Sequence, residues 1–181
     1  MFRELVESWY LQESNNIKDI QKEESIFILV IGGSASGKNY IYNKNFSNIE
    51  LVDNDEITKE LSGGDFEKAR KLISKATSIA NKRLEKAFQE NISIGQVSTG
   101  GNQKGVENKL IKAKSFNMKT ALVLIDTDVK KAVKRNEERA AAGLQGLIPE
   151  WKVEKTNVKA RETFNNLKKL DIVDYNIVIK N

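Results

Sequence analysis

An unbroken apolar run, Ile26-Phe27-Ile28-Leu29-Val30-Ile31, opens directly into Gly32-Gly33-Ser34-Ala35-Ser36-Gly37-Lys38. The pattern predicts a buried strand that turns through a glycine-rich loop into a helix. Gly32, Gly37 and Lys38 fit the spacing G-x-x-x-x-G-K-[ST], and Asn39 stands where that pattern has Ser or Thr. Each matching residue type has a physical job. Glycines let backbone N–H groups converge on a phosphate chain without a Cβ in the way. The helix that follows adds unpaired N–H groups and the positive end of its dipole. Lys38 supplies a mobile cation for the outer phosphates. Residues Gly32, Gly33, Ser34, Ala35, Ser36, Gly37, Lys38 and Asn39 are therefore expected to cradle a nucleoside triphosphate. The competing reading is an ordinary strand-to-helix turn that binds nothing.

The rest of the chain alternates between strand and helix signals. Phe2, Leu5, Val6 and Trp9 have helical spacing and suggest an appended helix within residues 1–25. The helix after the loop should begin near Gly37 and end before Asn45. Ile49 to Asp53 reads as a short second strand, followed by a polar stretch that turns at Gly63-Gly64. A long helix should start at Asp65, with Phe66, Ala69, Leu72, Ile73, Ala76, Ile79, Ala80, Leu84, Ala87 and Phe88 at three- and four-residue steps and Asp65 as N-cap. Asn91 to Ser98 reads as a third strand, and Val106, Leu110, Ala113 and Phe116 mark another helix. Thr120 to Asp126 is a second clear apolar strand, after which Asp128 caps a helix through Arg139. Residues 143–149 form a loop. Val153, Asn157, Ala160, Phe164 and Leu167 share a further helical face, and Asp171 to Ile179 supplies the last strand. This order predicts a three-layer α/β/α domain with a mostly parallel sheet. In such sheets ligands sit beyond the carboxyl ends of the strands, where Gly32–Lys38, Asp53, Ser98-Thr99 and Asp126 all fall.

Composition narrows the chemistry. The 181 residues suit one domain, and no apolar run approaches the ~20 residues of a membrane span. No cleavable signal pattern opens the chain, so the expected location is the cytoplasm. Cysteine and histidine are both absent, which excludes disulfide-linked partners and thiolate or imidazole chemistry. Any general base must be a carboxylate, and any metal ion must sit on oxygen ligands. The net charge of +5 favours polyanionic ligands, nucleic acid included, without requiring them.

Asp53-Asn54-Asp55-Glu56 follows the second strand. Carboxylates there could accept a hydroxyl proton or hold Mg²⁺, with Asn39 and Asp53 as oxygen ligands. Alternatively, Asp55 and Glu56 simply open a helix, where acids suit the dipole. Arg135 and Arg139 lie four residues apart and share a helix face ahead of a glycine-bounded segment. A mobile lid over residues 140–150 would bring these guanidinium groups onto the triphosphate. The alternative is surface pairing with Glu137 or Glu138. Trp9 and Trp151 read as packing residues.

Together these elements resemble the small P-loop kinases, in particular the zeta-toxin and phage polynucleotide-kinase-like branch. The resemblance rests on Gly32–Lys38, on Asn54-Asp55 after a strand, and on Arg135-Asn136-Glu137-Glu138-Arg139, and covers most of the chain after Ser25. It implies an ATP- and Mg²⁺-dependent phosphotransferase. Asp55 would face the acceptor hydroxyl as catalytic base. Arg135 would lie on the adenine, and Lys38 and Arg139 would offset phosphate charge. The acceptor is left open among a polynucleotide 5′-hydroxyl, a nucleotide and a sugar nucleotide. A nucleotide-binding module without catalysis, acting as a sensor or assembly partner, is the second reading, because Asn39 replaces the usual hydroxyl.

Overall fold

The computed structural model describes residues 16–143 and 146–181. Its elements are β1 (Ile26–Ile31), α1 (Lys38–Phe46), β2 (Glu50–Val52), α2 (Asn54–Ser62), α3 (Phe66–Gln89), β3 (Ile94–Ser98), α4 (Gln103–Ser115), β4 (Lys119–Asp126), α5 (Val129–Ala141), α6 (Glu150–Leu167) and β5 (Tyr175–Lys180). The five strands form one parallel sheet in the order β2-β3-β1-β4-β5. β1 is central and is buried at every position, which is why its sequence is apolar without alternation. Phe27, Leu29 and Ile31 face a core built with α3, α4 and α6. Ile26, Ile28 and Val30 face the opposite core, with Ile41, Tyr42 and Phe46 of α1. The strand order reverses beside β1, so the loop after β1 opens at the sheet's switch point.

Local signals explain the helix starts. Asp65 accepts the Lys68 N–H at 3.0 Å and Asp128 accepts the Lys131 N–H at 3.2 Å, as expected of N-caps worth about 0.5–2 kcal/mol each. Phe27 meets Phe88 edge-on at 5.1 Å, pinning α3 to the central strand.

Several boundaries differ from the sequence expectation. The polar stretch after β2 is a helix, α2, with only Ile57 and Ser62 fully buried along it. Its end signals carry it: Asp53 is the N-cap, Asp55 and Glu56 occupy the first turn, and Gly63 closes it at φ 64°. α1 runs past Asn45 to Phe46, because Phe46 is fully buried against Tyr42. β3 starts at Ile94 rather than Asn91, since Asn91 takes a left-handed φ of 52° that ends the preceding helix. β5 starts at Tyr175 rather than Asp171. Asp174 is held just before it, accepting the Thr120 N–H at 2.8 Å. Ile73 lies on the exposed side of α3. The helix expected from Phe2, Leu5, Val6 and Trp9 lies outside the described residues. No described helix is long and apolar enough to cross a membrane.

Candidate phosphate-binding site

Two glycines shape the loop after β1. A Cβ on Gly33 would fall 2.2 Å from the Asn157 Cγ of α6, so backbone and helix touch directly there. Gly37 has φ 86°, the left-handed region, and forms the N-cap of α1. Between them Ala35 also has a positive φ, 58°, a conformation that costs a residue with a Cβ about 1–2 kcal/mol. Left-handed residues at Ala35 and Gly37 are the kind of backbone that turns neighbouring N–H groups into a concavity, while the Ser36 N–H stays with the Gly33 carbonyl at 3.3 Å.

The loop is braced from both sides. The Ser36 carbonyl accepts from Thr127 Oγ1 at 2.9 Å, from Asn181 Nδ2 at 2.8 Å and, at the long limit of 3.5 Å, from Arg135 Nη1. Arg135 Nη2 also donates to Asn181 Oδ1 at 3.3 Å. On the other flank the Ser34 N–H donates to Thr156 Oγ1 at 2.9 Å. Ser36 Oγ is buried with no hydrogen-bond partner among the described residues.

Charged groups converge at the amino end of α1. Lys38 Nζ donates to the Gly32 and Gly33 carbonyls, both at 2.9 Å. Burial pushes its ammonium down to about 8, against the opposing pull of the Asp55 and Asp53 carboxylates, while Arg139 adds to the downward shift. Asp55 moves the other way. Burial raises its carboxyl and the Asp53 charge adds to this, while Lys38 and Arg139 act to lower it. Lys38, Asp53, Asp55 and Arg139 thus lie within one another's electrostatic reach.

Asp53 is 7% exposed and uses both oxygens. Oδ1 accepts the Asp55 N–H at 2.8 Å, and Oδ2 accepts from Asn39 Nδ2 at 2.5 Å. Asn39 Nδ2 also lies 3.3 Å from Glu56 Oε1. With two carboxylates facing it, the amide must present its nitrogen, since its oxygen would meet like charge. Among the described residues no group of three or more Asp, Glu, His or Cys side chains could enclose a metal ion. Magnesium rarely needs such a cage: it takes one or two carboxylates and completes its octahedron with water and phosphate oxygens. Asp53 fits that all-oxygen requirement, and Asn39 fits as the group that orients it.

The structure thus brings together Gly32–Lys38, Asn39, Asp53, Asp55, Arg135 and Arg139. Arg135 turns to the loop, not to Glu137 or Glu138; Glu138 lies 3.9 Å from Lys134 instead. Asp126 is taken up by Arg161, whose Nε donates to it at 2.7 Å. Ser98 and Gly100 form a simple turn, Ser98 Oγ accepting the Gly100 N–H at 3.2 Å. In the expected lid segment, residues 144 and 145 lie outside the described residues. Residues 140–141 belong to α5, and Ile148 is tied back to α5. Asn136 Nδ2 donates to the Ile148 carbonyl at 2.8 Å, and the Ile148 N–H donates to Asn136 Oδ1 at 3.2 Å.

Trp151 corrects a sequence expectation. It is 63% exposed and packs no core, because it lies off the apolar stripe that Val153, Ala160, Phe164 and Leu167 bury. Thr127, Thr156, Asn157, Arg161 and Asn181 were missed as supports of the site. Asn157 carried a signal, as an amide inside an otherwise apolar helix face, and Thr127 directly follows a strand end. Asn181 and Arg161 carried none.

No family model matches the chain, and no curated protein matches it. Solved structures do share its fold. A candidate kinase from Chloroflexus aurantiacus is 15% identical, with 88% of this chain and 86% of that chain covered and a TM-score of 0.60. A component of the PezAT chromosomal toxin–antitoxin system of Streptococcus pneumoniae is 15% identical, with 96% and 77% covered and a TM-score of 0.66. A chain of the AvrRxo1-ORF1:ORF2 complex with ATP is 14% identical, with 96% and 59% covered and a TM-score of 0.69. At these identities the likeness carries the fold alone: a three-layer α/β arrangement around an all-parallel five-stranded sheet.

Proposed function

We propose that this protein is an ATP-dependent phosphotransferase that moves the γ-phosphoryl group to an acceptor hydroxyl. The observation that carries the reading is the meeting of Lys38, Asp55 and Arg139 at the amino end of α1, beside a braced glycine loop. In this reading the amides of Ala35, Gly37 and Lys38 hold the phosphate chain, the Ser34 N–H being engaged by Thr156 and the Ser36 N–H by the Gly33 carbonyl, and Lys38 leaves the Gly32 and Gly33 carbonyls for the outer phosphates. Asp55 aligns the acceptor O–H. As the acceptor oxygen bonds to the γ-phosphorus, the bond to the β–γ bridging oxygen breaks and the proton passes to Asp55. Its raised pKa makes it a stronger base than an ordinary carboxylate. Lys38 and Arg139 balance the charge on the moving phosphoryl, and Arg135 stands at the loop's outer edge toward the nucleotide. Mg²⁺, when bound, neutralises the phosphate oxygens. Asp53 would hold it, with Asn39 fixing that carboxylate. The neighbours described as a kinase and as an ATP complex support the class of reaction.

The test is radiolabelled γ-phosphate transfer to oligonucleotides, nucleotides and sugar nucleotides. Wild type should label one acceptor class, and Lys38→Ala should label none. Asp55→Asn should lose about 10²–10⁴ in rate while still binding ATP, the range general-base removal gives. Undiminished transfer in Asp55→Asn would remove that residue from the reaction. One observation favours a second reading, a nucleotide-binding module without turnover. Asn39 engages Asp53 where a hydroxyl ligand for the metal is expected. Tight, metal-independent ATP binding with no product from any acceptor class would select it.

A further inference from the structure

A cleft of about 290 Å³ lies between the β3–α4 connection and the first turns of α6, lined by Gly101, Trp151, Lys152, Lys155, Thr156 and Lys159. No acid lines it. Trp151 presents an indole that is 63% exposed, and Lys155 Nζ stands 6.0 Å from the ring centroid. Lys159 is paired with Glu162 at 2.9 Å. Neither Lys152 nor Lys155 has an ion pair with an acid among the described residues. The cleft adjoins the phosphate loop, because Thr156, which lines it, is the residue that receives the Ser34 N–H.

We propose that this cleft binds a single-stranded oligonucleotide, Trp151 stacking on a base and Lys152, Lys155 and Lys159 following its phosphates. The proposal rests on the phosphotransferase reading above and names its acceptor class. An exposed indole flanked by ammonium groups, two of them without an acidic partner among the described residues, is the pairing that single strands require: a sequence-tolerant stacking platform beside a cationic track. The spacing favours a chain over a mononucleotide. Lys152 and Lys159 are separated by roughly 10 Å of helix rise, more than one phosphate can bridge. The open cleft also lets a strand continue past the indole, while its contact with Thr156 brings one end to the phosphate loop.

Fluorescence anisotropy with a short fluorescein-labelled oligothymidylate tests this, with ATP binding followed separately by calorimetry. Wild type should bind the oligonucleotide, and thymidine monophosphate should compete far more weakly. Trp151→Ala should weaken oligonucleotide binding roughly five- to hundredfold, and Trp151→Phe should restore most of it. Lys152→Ala with Lys155→Ala should flatten the slope of log affinity against log salt by about 1.4. ATP affinity should stay at the wild-type value in all three variants. Three results would overturn the proposal while ATP binding persists. They are unchanged oligonucleotide affinity in Trp151→Ala, no oligonucleotide binding by wild type, or thymidine monophosphate competing as well as the oligomer. Loss of ATP binding by wild type itself would instead sink the reading of the phosphate loop.

Discussion

The pH dependence of kcat/KM should expose Lys38 as the cation that receives the phosphates. This parameter reports groups of the free enzyme, and in the free protein burial has brought the Lys38 ammonium from 10.5 to about 8. Above pH 8 each further unit should remove about tenfold of the protonated, competent form, and kcat/KM with it. The alkaline limb of kcat itself should lie higher, because bound phosphates hold the proton on Lys38. Replacing the group with one that does not titrate provides the control. In Lys38→Arg the alkaline limb should vanish, since a guanidinium stays charged throughout. Where turnover by that variant is too slow, calorimetric ATP affinity against pH gives the same reading. Stability should run the opposite way. Between about 8 and 10.5 the unfolded chain carries a proton on Lys38 that the folded chain does not, so unfolding free energy rises with pH across the window where activity falls. A wild-type profile flat to pH 10, or an alkaline limb that survives in Lys38→Arg, would refute the reasoning.

Four substitutions extend the test. Gly33→Ala drives a Cβ to 2.2 Å from the Asn157 Cγ, whose side chain is buried and donates to the Val153 carbonyl at 2.8 Å. It should cost about 1–3 kcal/mol by denaturant melts and weaken ATP binding, and adding Asn157→Ala should recover part of both. Asn136→Ala leaves the Ile148 N–H and carbonyl without their partner, a loss of about 1–3 kcal/mol in chemical denaturation. Asn39→Thr replaces an amide that fixes Asp53 with a hydroxyl that can itself ligate the metal, so transfer should half-saturate at a lower Mg²⁺ concentration, measured by metal titration of the rate.

What the sequence disclosed divides by range. The segment from Ile26 to Lys38 was legible because its signals are contiguous: an unbroken apolar strand, glycines at fixed offsets, and a lysine at the helix start. Asp65 and Asp128 were legible as caps for the same reason, since an N-cap bonds only two or three residues ahead. α2 stood only as the alternative in which Asp55 and Glu56 open a helix, because Ile57 and Leu61 are its only apolar residues, too few for periodicity to decide, and its caps carry the information instead. Trp151 was misjudged because an aromatic residue near a helix start has no assigned face until the helix has a neighbour. Asn181 reaching Ser36, and Arg161 reaching Asp126, depend on which strand lies beside which, and no local pattern encodes that. Lys38, Asp55 and Arg139 were grouped in advance through the resemblance alone, and the field they share is a property of the fold.

The clasp on the Ser36 carbonyl has a wider meaning. A peptide unit is rigid and its two dipolar ends point in opposite directions, so fixing the oxygen also aims the N–H of Gly37. Thr127 and Asn181, which follow the ends of β4 and β5, therefore steer a donor while holding only the carbonyl on the other side of its peptide unit. If the loop takes an anion as proposed, that N–H needs no reorientation, and the rearrangement falls to Lys38, which must leave the Gly32 and Gly33 carbonyls. On the proposed reading, affinity for a phosphate chain would be set partly by residues outside the loop itself.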